Sequence, residues 1–217
     1  MSEFEARTHS SKLKAVQLEG EQMDIEQIKR LRSLTGVGIT DAKNALVEAK
    51  GDFDKALEAM RKKGLTKAEK RGEREARVGI INTYNHDNRI GVVVEINCET
   101  DFVARTDEFI ELARDVSMHI AASAPLYVSI DDIPAETKAK VEAEFKEKAK
   151  AEGKPDNMLD QIIQGMLKKY FAEQCLLDQP FVKNPDQTVG DFVKEGIAKL
   201  GENIIVRRFS RIAVGEV

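Results

Sequence analysis

The sequence predicts an α+β protein in which a three-helix module precedes a core domain with a small, mainly antiparallel sheet flanked by helices. Three observations lead to this prediction. Short apolar stripes at helical spacing fill residues 24–64, a β-hairpin pattern occupies 78–98, and helical patterns then continue to a final strand pattern. A tight hairpin followed by helices and a last strand is typical of helices packed on an antiparallel sheet.

Composition excludes several classes of protein. The 217 residues include 34 Lys and Arg and 38 Asp and Glu, so the formal net charge is −4. Such a chain does not coat nucleic acid, and any contact with nucleic acid would need a local basic patch. The longest apolar run, near 90–94, is far shorter than the ~20 residues of a membrane-spanning helix. Two cysteines without metal-ligand spacing fit reduced thiols, so we expect a cytoplasmic protein that contacts no membrane.

Residues 1–23 carry scattered polar residues without a sustained period, and we expect them to form a disordered extension. Three short helices are predicted over 24–64, each with its own boundary signals. Helices of about three turns are unstable alone in water, so their apolar stripes must pack together. The expected N-caps are Asp24, Thr40 and Asp52, and the expected helix ends are Gly36, Gly51 and Gly64.

Residues 65–77 are predicted to be a basic linker of helical or extended structure. The stretch 61–77 holds eight basic and three acidic residues. A phosphate-binding patch is the alternative to a solvated connector, but no aromatic residues are interleaved to stack on bases. We therefore expect no direct contact with nucleic acid.

Residues 78–217 form the predicted core domain. Segments 78–84 and 90–98 have the pattern of a β-hairpin in which one face of the second strand is strongly buried. Two amphipathic helices joined by a Gly/Pro break form a helical hairpin over 134–175, and its polar first arm indicates that the hairpin projects from the body. The remaining predicted elements are a helix from residue 109 to Pro125, a helix at 188–200 between Thr188 and Gly201, and a strand at 203–212.

No catalytic or metal-binding constellation assembles from the sequence. The three histidines, His9, His86 and His119, are far apart, and His119 has no metal-binding side chain four residues further on. Cys98 lies on the buried face of its strand and precedes two acidic residues, so its thiol is expected to pack and not to act as a nucleophile. We therefore expect no enzyme, no cofactor and no bound metal ion.

The segment 98–105, Cys-Glu-Thr-Asp-Phe-Val-Ala-Arg, is unusual because it places Phe102 and Val103 between charged residues in a predicted loop. The residues alone leave two interpretations open. Phe102 either packs under the sheet, or it is exposed as an anchor for a pocket on another protein.

Six sequence blocks occur in order: IKRLRSLTGVGITDAK from residue 28, GDFDKALEAMRKKG from 51, INCETDFVAR from 96, MHIAASAPLYV from 118, QPFVKNPDQTV from 179 and GENIIVRRF from 201. Together they resemble bacterial translation elongation factor Ts. The resemblance implies a factor that binds elongation factor Tu and promotes release of GDP by disrupting its Mg²⁺ and phosphate site. It also implies a ubiquitin-associated-like module over 24–64 and, because the chain has a single TDFVA segment, the short form of the family that occurs as a homodimer.

The same resemblance implies which residues contact elongation factor Tu. Phe102 matches a ring that is wedged between two helices of the nucleotide-binding domain of elongation factor Tu. Arg71 stands where relatives often have Lys and offers a positive charge, and His119 is implied as a contact or a support residue. The full set is Thr100, Asp101, Phe102 and Val103 in the TDFV segment, Ile39 and Lys43 in the N-terminal module, Arg71 in the linker, and His119.

Two other functions remain alternatives to nucleotide exchange. A ubiquitin-associated-like adaptor would bind peptides through residues 24–64, which would leave the TDFVAR segment without a role. Binding of RNA through 61–77 would depend steeply on salt concentration and would not require Phe102.

Overall fold

The structure, a computed structural model, describes residues 25–151 and 159–216. The extension expected over 1–23, the Asp24 cap and the Gly153-Lys154-Pro155 break lie outside these residues. The helices are α1 (25–35), α2 (Ile39–Glu48), α3 (Phe53–Arg71), α4 (Asp101–Ala104), α5 (Asp107–Ser123), α6 (Ala135–Ala151), α7 (Leu159–Gln174) and α8 (Val189–Leu200). The strands are β1 (Val78–His86), β2 (Ile90–Cys98), β3 (Pro180–Phe181), β4 (Asn184–Thr188) and β5 (Ile205–Ala213).

Strand β2 is the centre of a three-stranded antiparallel sheet with the order β1-β2-β5. Its side chains alternate, so Val92 and Val94 are buried in the main core while Val93 points to the opposite face. In the turn between β1 and β2, Asp87 and Asn88 both have positive φ, a conformation that short polar side chains tolerate. The predicted hairpin and the antiparallel sheet are confirmed.

Helices α5 and α8 complete the main core. Helix α5 contacts β1 and β2 on the inner face of the sheet, and it also contacts α8. The Thr188 hydroxyl accepts a hydrogen bond from the Asp191 N–H at 3.1 Å, and Gly201 ends α8 in the left-handed conformation. Both boundaries of α8 therefore lie where the sequence predicts them.

The first three helices pack together, as their marginal lengths require. They share a buried cluster that is separate from the main core. Its buried members are Leu31, Ala42, Ala45, Leu46, Ala56 and Met60. The Asp52 cap is confirmed, because its side chain accepts a hydrogen bond from the Lys55 N–H at 3.1 Å. Likeness of this unit to a ubiquitin-associated module stays a prediction.

Two predicted helix boundaries in this region are wrong. Helix α2 begins at Ile39, because the extended Gly38 is its N-cap, and Thr40 lies within the first turn. Helix α3 continues past Gly64 to Arg71. Gly64 is buried, and a Cβ added there would lie 3.1 Å from the Ala198 Cβ. This glycine thus permits close packing of α3 against α8 and does not end the helix.

The extension of α3 places part of the predicted linker on the core. Ala68 is buried in the main cluster, and Ala76, beyond the end of α3, is also buried. The linker is therefore helical as far as Arg71, and residues 72–77 form a turn and an irregular segment that leads into β1.

Helices α6 and α7 form the predicted helical hairpin. Their buried residues, among them Val141, Ile163 and Leu167, belong to a cluster of their own. Phe145 and Tyr170 meet edge to face across the two helices, with ring centroids 5.5 Å apart. The short β3–β4 hairpin was not predicted, because strands of so few residues show no visible alternation in the sequence. Among the helices of the described residues, none combines the length and apolar composition needed to cross a bilayer.

The contact between Gly36 and α8 generates a stability prediction. Gly36 has a φ of 65°, and a Cβ added there would lie 2.4 Å from the Lys199 Cα. We expect Gly36→Ala to lower the free energy of unfolding by about 2–3 kcal/mol, because the methyl group adds both backbone strain and a clash. Denaturant unfolding measures this loss.

Gly38→Ala, in the same loop, is the matched control. No atom lies within 4 Å of a Cβ added at Gly38, so we expect a loss below about 1 kcal/mol from the weaker N-cap alone. Equal losses in the two variants would contradict the close approach at Gly36.

Candidate functional site

The TDFV segment forms the single-turn helix α4, where the sequence analysis expects a loop. Thr100 is its N-cap, and the Thr100 hydroxyl oxygen accepts a hydrogen bond from the Val103 N–H at 3.4 Å. Val103 is half-buried against the main core and Ala104 is buried, so the inner side of the turn is packed. Asp101 and Phe102 lie on the outer side.

Phe102 is 87% exposed, more than any other large apolar residue in the described ranges. The interpretation in which this ring packs under the sheet is therefore wrong. Burial of a large apolar ring lowers the free energy of the system. An isolated exposed aromatic residue on a fixed turn is therefore typical of an anchor for another protein. The structure thus presents Phe102 outward.

Charged residues flank the exposed ring. Asp101 and Arg105 are both exposed, and their nearest side-chain atoms, Oδ2 and a guanidinium nitrogen, are 4.0 Å apart. An exposed pair at this distance contributes little to stability. Both groups are consequently accessible for polar contacts around Phe102.

Glu202, in the loop between α8 and β5, holds the start of α4. Its Oε2 atom accepts hydrogen bonds from the N–H groups of Glu99 at 3.1 Å and Thr100 at 2.9 Å. Its Oε1 atom accepts a third hydrogen bond from the Thr100 hydroxyl at 2.6 Å. Glu202 was not predicted as a site residue, and its place in the GENIIVRRF block is the only sequence signal for it.

A second set of bonds runs in the opposite direction. The Glu99 carboxylate accepts a hydrogen bond from the Asn203 N–H at 2.6 Å. The buried Asn203 side chain donates in turn to the carbonyl oxygens of Gly72 at 3.2 Å and Arg74 at 2.6 Å. The loops at 99–100, 202–203 and 72–74 therefore meet in one hydrogen-bonded cluster, which we call the brace.

Cys98 lies directly under this turn. It is fully buried, and its thiol donates a hydrogen bond to the Thr100 carbonyl oxygen at 3.2 Å. Burial raises the pKa of the Cys98 thiol, and the nearby carboxylates of Glu202 and Asp101 raise it further. The thiol stays protonated near neutral pH, which confirms the expectation that it packs and is not an activated nucleophile.

The two predicted contact residues of the N-terminal unit share one face of α2. Ile39 and Lys43 are one helical turn apart, and both are exposed. Lys43 also borders a groove of about 560 Å³ with an apolar floor that includes Ile28 and Leu46. The structure therefore presents these two side chains together.

Arg71 does not offer the freely exposed charge that the sequence analysis expects. Its side chain is half-buried at the end of α3, and a guanidinium N–H donates to the Ile197 carbonyl oxygen on α8 at 3.1 Å. This bond joins residues 126 positions apart in the sequence. Arg71 is therefore a link between the two helices.

His119 is fully buried, so a direct surface contact at this position is wrong and only support remains of the two implied roles. The Val182 N–H donates to its Nδ1 atom at 3.2 Å, which requires an unprotonated Nδ1. The proton of the neutral ring is then on Nε2 and is donated to the Gln179 Oε1 atom at 2.9 Å. The Gln179 amide orientation is consistent, because its Nε2 donates to the Glu173 carbonyl oxygen at 2.7 Å.

The arrangement offers two exposed sets of side chains, one on α4 and one on α2. Across residues 25–151 and 159–216, no group of three or more His, Cys, Asp or Glu side chains is placed to hold a metal ion. The structure brings Thr100, Asp101, Phe102 and Val103 together on α4, and Ile39 and Lys43 together on α2, whereas Arg71 and His119 make interior contacts.

Comparisons with known proteins agree on one family. The model of the family described as "Elongation factor TS" matches residues 11–216. An elongation factor Ts of Carboxydothermus hydrogenoformans is 52% identical over 192 residues, which is 88% of each chain. That of Thermodesulfovibrio yellowstonii is 48% identical over 88% of this chain and 96% of its own. That of Fervidobacterium nodosum is 46% identical over 90% of this chain and 100% of its own.

The buried His119 generates a prediction of pH dependence. Burial lowers the pKa of His119 below its usual value, and the hydrogen bond with Gln179 opposes this shift only in part. The unfolded chain therefore binds the proton more readily, so the stabilisation is complete above about pH 6.5 and is lost as the pH falls toward the lowered pKa. We expect the free energy of unfolding to fall between pH 7.5 and pH 5 more steeply in the wild type than in His119→Asn.

His86→Asn is the control, because His86 is an exposed residue at the end of β1. This variant should keep the steep pH dependence of the wild type. If His119→Asn does not fold, NMR titration of the wild-type imidazole decides directly. An imidazole that titrates at or above the usual histidine value would contradict the lowered pKa.

Proposed function

The chain belongs to the elongation factor Ts family, and from that premise we propose that it binds elongation factor Tu carrying GDP and promotes release of the nucleotide. A factor of this family exchanges nucleotides and performs no covalent chemistry. The observation that supports the proposal most strongly is the exposure of Phe102 on a turn that is packed from behind. We place its action in the bacterial cytoplasm, where translation occurs.

In this proposal Phe102 is the main anchor. Burying its ring in a pocket between two helices of the partner's nucleotide-binding domain would contribute about 1.5–3 kcal/mol. Asp101 and Arg105 supply polar contacts around the ring. Thr100 and Val103 are half-buried, so they act mainly by holding the turn.

A second contact involves the N-terminal unit, which we assign to the ubiquitin-associated-like class. Ile39 offers an apolar side chain and Lys43 a positive charge on the same exposed face of α2. A second site on the same chain increases affinity, because binding at the first site raises the effective concentration for the second. Arg71 and His119 support these surfaces from within.

Exchange follows from linked binding equilibria. GDP is held in such a GTPase by backbone donors at a helix N-terminus and by Mg²⁺. A factor that binds best when the Mg²⁺ and phosphate site is distorted weakens nucleotide binding, and the nucleotide weakens binding of the factor by an equal amount.

The energies involved can be compared. Acceleration of release by ~10⁴-fold requires about 5.5 kcal/mol of stabilisation along the path to loss. One buried Phe supplies up to about 3 kcal/mol of this, so polar contacts and the N-terminal unit must supply the remainder. The factor accelerates both release and binding of nucleotide. The relative concentrations of GDP and GTP therefore decide which nucleotide binds next.

We also propose that two copies associate through the outer face of the sheet. Ile81, Val93 and Ile212, one from each strand, are exposed on this face. When a partner covers exposed apolar side chains that are grouped on one face, the free energy of the system is lowered. The single core unit of this chain makes a second copy the expected occupant, as the resemblance to short family members implies.

The anchor role of Phe102 can be tested by Phe102→Ala. The side chain makes almost no contact with its own chain, so we expect an unchanged fold. Stimulated GDP release should slow by about 10- to 100-fold, since that range corresponds to a loss of ~1.5–3 kcal/mol. Stopped-flow measurement with fluorescent GDP bound to elongation factor Tu gives the rate.

Leu126→Ala is the matched control, because Leu126 is also a large exposed apolar residue, on the loop after α5. It should retain the wild-type rate. Unchanged acceleration by Phe102→Ala would refute the anchor role, and absence of stimulation by the wild-type protein would refute the proposed function.

The dimer can be tested by Val93→Asp. A carboxylate at the centre of the outer face would be buried without a partner, so we expect the mass in sedimentation analysis to fall from twice the chain mass of 24.2 kDa to a single chain. Ile130→Asp, at an exposed residue outside the sheet, is the control and should remain dimeric. A wild-type protein that sediments as a single chain at micromolar concentration would contradict the dimer.

A further inference from the structure

We propose that Glu202 is a positioning residue for exchange, whose carboxylate holds the turn that carries Phe102. This inference rests on the proposed function, because the exchange rate is one of its readouts. Glu202 lies on the loop between α8 and β5, and it acts on the partner only through Thr100 and the turn that follows.

The need for an external support follows from the size of α4. A helix of four residues has few internal hydrogen bonds to set against the loss of backbone entropy, so a single turn is not stable alone. Its outer residues, Asp101 and Phe102, are exposed and contribute no packing. The direction of the ring therefore depends on contacts made by the other residues of the turn and by the segment before it.

Glu202 supplies the support at the start of the turn. One carboxylate accepts hydrogen bonds from the Glu99 N–H, the Thr100 N–H and the Thr100 hydroxyl, at 3.1, 2.9 and 2.6 Å. Hydrogen bonds to a charged acceptor are stronger than those between neutral groups. Thr100 is also the N-cap of α4, so fixing its backbone and side chain fixes the origin of the turn.

The bonds between the two loops are reciprocal. Glu202 accepts from the backbone of 99–100, and Glu99 accepts from the backbone of Asn203. Neither loop can slide along the other without breaking bonds of both sets. Arg74 lies 3.6 Å from the second oxygen of Glu99 and offsets the repulsion between the two carboxylates.

The brace also reaches the N-terminal unit. Asn203 follows Glu202 directly, and its buried amide donates to the carbonyl oxygens of Gly72 and Arg74, immediately after α3. The end of α3 and the start of α4 are thus attached to the same two residues. Glu202 and Asn203 thereby fix the origin of Phe102 relative to the helix that leads from the N-terminal unit.

The first experiment compares Glu202→Ala with Glu202→Gln in the full chain. Glu202→Ala leaves three donors without their acceptor, and we expect stimulated GDP release to slow by about tenfold. Glu202→Gln keeps one oxygen acceptor and gains an amide that can donate to the Thr100 hydroxyl, so it should restore most of the rate. Glu147→Gln, at an exposed position of α6 that lies outside the brace, removes the same charge and should have no effect.

The second experiment is a double-mutant cycle with Phe102→Ala. If Glu202 acts through the ring, Glu202→Ala should change the rate less than about twofold once the ring is absent. Effects that multiply would show a separate structural role and would overturn the proposal. Should Glu202→Ala fail to fold, Glu202→Asp, whose shorter side chain cannot keep all three hydrogen bonds, takes its place in the cycle.

The third measurement does not depend on exchange. The chain has no Trp, so Phe102→Trp provides a single fluorescent reporter at the anchor position. Adding Glu202→Ala or Glu202→Gln should lower the fluorescence anisotropy of this Trp, with the larger change for Ala, because the turn gains freedom. An unchanged anisotropy would overturn the positioning role. If the anisotropy falls but the wild-type protein does not stimulate exchange, only the proposed function is overturned.

Discussion

The candidate site depends on one interaction, in which the Glu202 carboxylate accepts three hydrogen bonds from Glu99 and Thr100. A protein that displays a large aromatic ring to water cannot use that ring for its own packing, so the orientation must come from elsewhere. Here it comes from a half-buried carboxylate on one side and from Val103 and Ala104, which pack inward, on the other. The free energy that the exposed ring does not contribute to folding is then available for binding.

The residues that the family resemblance implies fall into two groups, according to whether their side chains are exposed or bonded in the interior. The first group, Ile39, Lys43, Asp101 and Phe102, is exposed. In the second group, the polar atoms of Arg71 and His119 form hydrogen bonds with interior partners. An arginine bonded to a helix carbonyl and a histidine enclosed by an amide and a backbone N–H stabilise the packing of α3, α5 and α8. A match to a family motif therefore does not distinguish residues on the surface from residues that support that surface from within.

The two faces of the sheet serve different purposes in the proposed assembly. The inner face is covered by α5 and forms the main core. The outer face carries exposed apolar residues and is covered by none of the described helices. Since α4 follows β2 directly, a second copy bound to the outer face would lie next to the strand that leads to Phe102. In the proposed assembly, both dimerisation and display of the ring would therefore depend on β2.

Local sequence determined the elements whose signals lie within a few residues of one another. The period-two pattern of β2, the polar turn before it, and the Asp52 and Thr188 caps each depend on neighbours in the chain, and each is found as predicted. The TDFV motif likewise located the candidate site. The short β3–β4 pairing escaped notice because so few residues carry no visible period.

Tertiary structure decided what depends on distant residues. Gly64 stays inside α3 because α8 packs beside it, although a glycine at that position alone favours a helix end. A four-residue turn has no periodicity that could reveal which side faces the core, so only the packed structure shows that Phe102 points outward. Thr100 and Glu202 are 102 positions apart and His119 and Gln179 are 60 apart. Folding alone brings such partners together, because no local pattern encodes a contact between loops so far apart.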